Sequence, residues 1–237
     1  MNIFDIGIIL LLCMGFIVGW KNGVIKELVS FVGIIIVFII SYQLKGIVGN
    51  VLCKLLPFIK FKGILEGLSS MNILLYQAIA FLIVFSLLLG FYAVAVSISQ
   101  FFQKIVNYTI ILLLPSKILG GIVGVIKTWL ILFVILVVLI VPFHTFPIFS
   151  NSSLVNKILN ETPILNKAVE PFTSATEDIY SLAKQVSKKE ITTNDANLRS
   201  IDVMLKYKIV DKRTIENLRD YRKLDDIKGL DNILKNY

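Results

Sequence analysis

Four long apolar runs fill the first 142 residues, and they leave this chain little choice of solvent. Ile3 to Gly19 is apolar except for Asp5. At about 1.5 Å per helical residue it is just long enough to cross a hydrocarbon core of about 30 Å. A cleaved signal peptide would need a basic start and a small-residue cleavage site; no Lys or Arg precedes the run and no A-x-A follows it, so a retained span is expected. After Trp20-Lys21-Asn22-Gly23 a second run extends from Val24 to Leu44, and so short a link makes the two an antiparallel hairpin. Ile73 to about Ser97 and Ile118 to Val141 give a third and a fourth span, the last stopped by Pro142.

Composition agrees. A soluble domain is about 45–50% apolar and about 25% charged, whereas this chain is 56% apolar and 17% charged, with a mean hydropathy of +0.81. The charge is uneven: residues 1–142 hold 9 of the 24 Lys/Arg and 3 of the 16 Asp/Glu. The expected fold is all-α, a polytopic membrane protein with about four transmembrane helices, interfacial helices and a small helical C-terminal tail. Residues 1–142 form the transmembrane module, 143–186 an amphipathic helical extension and 187–237 a small soluble helical tail.

Two stretches read as interfacial. From Lys45 to Asn72, Val48, Val51, Leu52, Leu55, Leu56 and Ile59 recur at helical spacing among Lys45, Lys54, Lys60 and Lys62, the pattern of a basic helix lying on anionic lipid headgroups; a re-entrant hairpin is the other reading. Gln100 to Pro115 is a weaker case, either a surface helix or a continuation of the third span. Orientation is only weakly encoded. Lys21 and Lys26 favour a cytoplasmic first connection and termini outside, while the four lysines of residues 45–62 argue the other way.

Charge inside a span needs a reason, because it costs roughly 2.5–3.5 kcal/mol on insertion scales. Asp5, Lys26, Glu27 and Lys127 are the candidates. Asp5, Lys26 and Glu27 sit near span ends, where snorkelling or interfacial placement explains them. Lys127 is ten residues into its run, about 15 Å deep, and a pairing with Asp5 or Glu27 would neutralise it. Gly120 and Gly124 form a GxxxG face for close helix packing or an oligomer contact. Cys13 and Cys53 make no disulfide framework, and His144, the lone histidine, has no companion for a metal. Neither a cofactor nor a catalytic nucleophile with a base is expected.

The tail is helical by pattern. Val169, Phe172, Ile179, Leu182, Ala183 and Val186 follow a near-heptad stripe broken by Pro171; Ser187 to Asn197 reads as a polar linker, with short helical patterns beyond it. Residues 198–224 have a helix-turn-helix alternative in which Arg213, Arg219, Arg222 and Lys223 meet phosphate. The whole stretch after residue 142, with 15 basic and 13 acidic residues, nets only +2 and its charges alternate in sign, which favours a solvated face over nucleic acid.

Two blocks of the sequence resemble the CvpA family, the colicin V production proteins. Asp5 followed by Gly23-Val24-Ile25-Lys26-Glu27-Leu28 is similar to the family's D…RGxxxE hairpin, with Gly23 and Glu27 in place and Asn22 where Arg is usual. Ser116-Lys117-Ile118-Leu119-Gly120, Gly124 and Lys127 resemble [DN]-R-x-x-G-x-x-x-G-x-x-[KR]-G, with Ser116 for the acid or amide and Thr128 for the last glycine. Ser153-Leu154 and Pro163 are a softer match. The resemblance implies the bacterial cytoplasmic membrane and a factor that supports toxin (colicin V) production or export, or envelope-linked processes, by binding or scaffolding. A protein partner in or outside the membrane and a homo-oligomer are the expected contacts. The rival reading is a small oligomeric channel or transporter subunit with Asp5, Glu27 and Lys127 along a polar path. Some relatives carry an outward-facing protease domain after the spans; the tail here has no G-x-S-x-G, and the relationship favours an outside tail.

Overall fold

A computed structural model describes residues 3–106, 113–143, 151–162, 165–224 and 227–237. Among the described residues there is no strand. In chain order the helices are α1 (Ile3–Asn22), α2 (Val24–Leu55), α3 (Met71–Val106), α4 (Leu113–Phe143), α5 (Ser153–Glu161), α6 (Leu165–Ser187), α7 (Thr193–Lys206), α8 (Lys212–Asp220) and α9 (Leu230–Leu234). Four are long and apolar enough to cross a membrane, over Ile3–Asn22, Val24–Leu55, Met71–Val94 and Ser116–Leu139.

The expected interfacial helices are not separate elements. Residues 45–55 prolong α2 because nothing in them breaks a helix; the break comes at Pro57, whose ring disfavours helical backbone at Leu56. A loop with a 3-10 turn at Gly63–Leu65 leads on to α3. Gln100 to Val106 likewise prolongs α3, while residues 107–112 lie outside the described residues. Pro115 does not terminate anything: it stands in the first turn of α4, where no backbone donor is required. His144 and Pro147 lie outside the described residues.

The chain forms two compact units. The first takes in Met1–Gln43, Leu82–Leu139 and Phe143–Thr162. Its interior holds Ile8, Ile34, Phe38, Phe85, Phe133 and Val137, while Ile6, Leu10, Met14, Ile17, Ile36 and Phe91 stand exposed. Apolar residues both inside and outside suit a bundle whose outer solvent is lipid.

Its helices meet through backbone. On α1, Gly15 and Gly19 lie one turn apart, and on α4 so do Gly120 and Gly124. A Cβ on Gly19 would overlap the carbonyl oxygen of Gly120, one on Gly124 the carbonyl oxygen of Gly15, and one on Gly15 the Thr128 hydroxyl. Low numbers on α1 meet high numbers on α4, so the two helices are antiparallel. Between α2 and α3, the Tyr92 ring covers Gly33 and its hydroxyl donates to the Val29 carbonyl at 3.0 Å.

The second unit comprises Leu44–Phe81, Ile140–Pro142 and Pro163–Tyr237. Here α6 buries Val169, Phe172, Ile179, Leu182 and Ala183, the stripe read from the sequence, and Pro171 lies within the helix. Tyr180 donates to the Val141 carbonyl at 2.7 Å, and burial pushes its hydroxyl up to about 12. The stretch read as a polar linker ends differently. Thr192 caps α7, and Asn197 is buried: its amide donates to the Gly67 carbonyl at 2.9 Å and its oxygen accepts from the Ser70 N–H at 3.0 Å. Lys223 donates to the Leu56 carbonyl at 3.0 Å. The tail helices therefore dock on the loop between α2 and α3.

The seam makes a sharp prediction. Gly19→Ala should cost about 1–3 kcal/mol, because the added methyl meets backbone that cannot rotate away. Gly7→Ala, at a position with nothing within 4 Å, should be neutral or slightly stabilising. Thermal unfolding midpoints of the two purified variants in mild detergent check both.

Candidate functional site

At one end of the first unit, α1 passes into α2 through a single residue. Gly23 has φ +79, a left-handed conformation that glycine adopts without a Cβ penalty. The helical hydrogen bonding continues across it, Gly23 N–H to the Gly19 carbonyl at 3.0 Å and Glu27 N–H to the Gly23 carbonyl at 3.2 Å. A new helix leaves orphan N–H groups in its first turn. One of them, on Val24, is met by the Ser116 hydroxyl of α4 at 3.4 Å.

Glu27 lies in that first turn, where the helix dipole favours an anion. It is fully buried, and both oxygens are engaged: Oε1 accepts from the Asn22 amide at 2.6 Å, and Oε2 pairs with the Lys127 ammonium. The Lys127 side chain is only 14% exposed. An ion pair so placed is tolerable because each charge compensates the other and the second carboxylate oxygen has the Asn22 amide as a donor. Asn22, at the position where the family pattern has Arg, supplies a neutral donor to the same carboxylate. Lys26, the neighbouring residue, is exposed and stands outside the cluster.

Asp5 belongs elsewhere. It is 3% exposed, and its Oδ1 accepts from the Ser152 hydroxyl at 2.6 Å and the Leu154 N–H at 3.1 Å. Ser152 is the N-cap of α5, its oxygen accepting from the Val155 N–H at 3.1 Å. Asp5 thus adds a second acceptor and a full negative charge at the start of that helix. At the other end of α5, the Trp129 indole donates to the Thr162 hydroxyl at 3.0 Å.

The candidate residues therefore form two clusters. Glu27, Lys127 and Gly23 come together with Gly120 and Gly124 close by; Asp5 lies near the opposite end of α1, a helix about 30 Å long. Sequence reasoning missed Asn22, Ser116 as a cap, Ser152, Trp129 and the α1 half of the seam. Only the last had a visible signal, since Gly15, Gly19 and Gly23 recur at four-residue intervals. The phosphate-binding alternative for the tail loses two of its four cations to other work: Arg219 pairs with Asp231 and Lys223 holds the Leu56 carbonyl.

Removing the Asp5 carboxylate should loosen α5 specifically. Asp5→Ala is expected to cost about 1–2 kcal/mol and Asp5→Asn less, since an acceptor oxygen remains. Limited proteolysis within residues 151–162 reads this, with faster cleavage in Asp5→Ala than in Asp5→Asn.

No curated protein and no solved structure matches the chain. The family model described as colicin V production protein matches residues 4–163, a stretch that takes in α1 to α5 and both motif clusters and leaves α6 to α9 outside. On that match over more than half its length, the chain belongs to the colicin V production protein family.

Proposed function

We propose that this membrane protein, tied by its family to colicin V production, supports that production or export as a binding or scaffolding factor and not by turnover. The observation that carries the reading is that the polar groups of the family motifs are spent on the architecture itself. Glu27 and Lys127 close on each other, and Asp5 caps α5. Chemistry held this way builds a surface for others to bind. The docked tail adds a second surface, and a partner protein in or beyond the membrane fits both better than a small substrate does.

Charge reversal tests it. Glu27→Lys or Lys127→Glu alone buries two like charges and should remove most folded protein, a loss of about 3–5 kcal/mol. The double variant restores a pair and should recover both abundance and colicin V export in a producing cell. An abundant double variant with no export would mean that one of the two groups acts chemically, against the scaffold reading.

The same reading places the chain in the bacterial cytoplasmic membrane. Lys21, Lys26 and Lys117 gather at the end of the first unit marked by Gly23 and Ser116, which supports a cytoplasmic position for that end and an extracytoplasmic tail. A reporter fused after Tyr237 should be active only in its outside-dependent form; activity of the inside-dependent form would reverse the topology.

A further inference from the structure

We propose that α5 is a re-entrant half-helix whose polar face lines a water-filled vestibule reaching the middle of the bilayer. The argument begins with depth. Because α1 has only 20 residues, its whole length is needed to cross the hydrocarbon core, so its two ends mark the two faces of the membrane.

Three ties then fix α5 against that ruler. Its start is held on Asp5, one turn inside the first face, through Ser152 and Leu154. Its end is held on Trp129 through Thr162. Trp129 follows Thr128, the residue against which Gly15 packs. From Asp5 to Gly15 is about 15 Å of helix, and α5 itself is about 13.5 Å long. The two lengths agree: α5 runs beside α1 in the same direction and stops about half way across.

Its faces differ in kind. Val155 and Ile158 are 1% and 0% exposed, turned into the bundle, whereas Asn156, Lys157, Asn160 and Glu161 are exposed. On α1 at the same depths the exposed residues include Ile6, Ile9, Leu10, Leu11 and Met14, with no charged residue among those exposed. Lipid suits the α1 face and does not suit a Lys about 10 Å deep or a Glu near the bilayer middle. Side chains of this kind inside a membrane border water or protein. Water is the occupant that the mixed, charged face fits: the face opens at the Asp5 end, where α5 begins, and its floor is the Trp129 to Thr162 bond. The vestibule admits water and small hydrophilic solutes, and it stands whether or not the scaffold reading does.

Cysteine accessibility in the full chain, reconstituted in vesicles, tests this. In a Cys13→Ser, Cys53→Ala background, single cysteines go in as Ser153→Cys, Asn156→Cys, Lys157→Cys, Asn160→Cys and Glu161→Cys, with Ile158→Cys and Leu10→Cys as inward and lipid-facing controls. A charged, membrane-impermeant maleimide is applied to right-side-out and to inverted vesicles, so the result does not depend on the topology assigned above. The expected result is labelling at 156, 157, 160 and 161 from one face only, within about tenfold of the rate at 153, with 158 and 10 unlabelled. If Glu161→Cys fails to fold, Asn160→Cys and Lys157→Cys report the same face. Labelling of 160 and 161 by a lipid-soluble maleimide alone would place the face in lipid and overturn the proposal. Protection from both reagents together with a disulfide to a second copy would overturn it too, as a protein interface.

Discussion

The backbone contact between α1 and α4 carries the architecture of the first unit. In lipid there is no hydrophobic force to press one apolar helix on another, so association depends on close packing and on polar contacts. Gly15 and Gly19 opposite Gly120 and Gly124 bring the two backbones to a separation that no side chain at these positions would permit. Everything polar in the unit is positioned by that approach. Ser116 reaches the first N–H of α2 because the α4 start is drawn against the Gly23 turn. Lys127 stands within reach of Glu27 for the same reason, and an ammonium and a carboxylate that would each be costly alone become one compensated pair.

Asp5 performs a different task with the same economy. A carboxylate one turn inside a span is an expense unless it meets donors, and the N-terminus of α5 presents them in the form of the Ser152 hydroxyl and the Leu154 N–H. The contact returns the chain to the bundle after α4 and aims α5 back along α1. A short amphipathic helix is thereby held against α1, with two buried aliphatic residues inward and a charged face outward. The matched family region ends just beyond this helix, so both polar clusters belong to the part of the chain that the family shares.

The tail shows how docking converts a polar segment into structure. Thr193 to Asn197 has the composition of a linker, yet it forms the first turns of α7, because the Thr192 hydroxyl caps the helix and Asn197 finds two backbone partners in the loop between α2 and α3. That loop is itself tied by Asn72, whose side chain bonds both the N–H and the carbonyl of Ile59.

Class was legible in the residues alone: apolar runs of the length of a bilayer, a link between the first two too short for anything but a hairpin, and a charge at Lys127 so deep in its run that it called for a partner. Periodicity and length are local properties, and they survive folding unchanged. The pairings came from the packing of the helices. Whether Lys127 meets Asp5 or Glu27 depends on the antiparallel register of α1 and α4, which the facing glycines set across a hundred residues of chain. The extent of α2 beyond Leu44 and of α3 beyond Ser97 is hidden in the sequence because Lys45, and Ser99 with Gln100, look like the edges of apolar runs, whereas polarity alone does not end a helix and α2 stops only ahead of Pro57. The placement of α5 against the bundle left no trace in its own nine residues, since it is held at its two ends by Asp5 and Trp129.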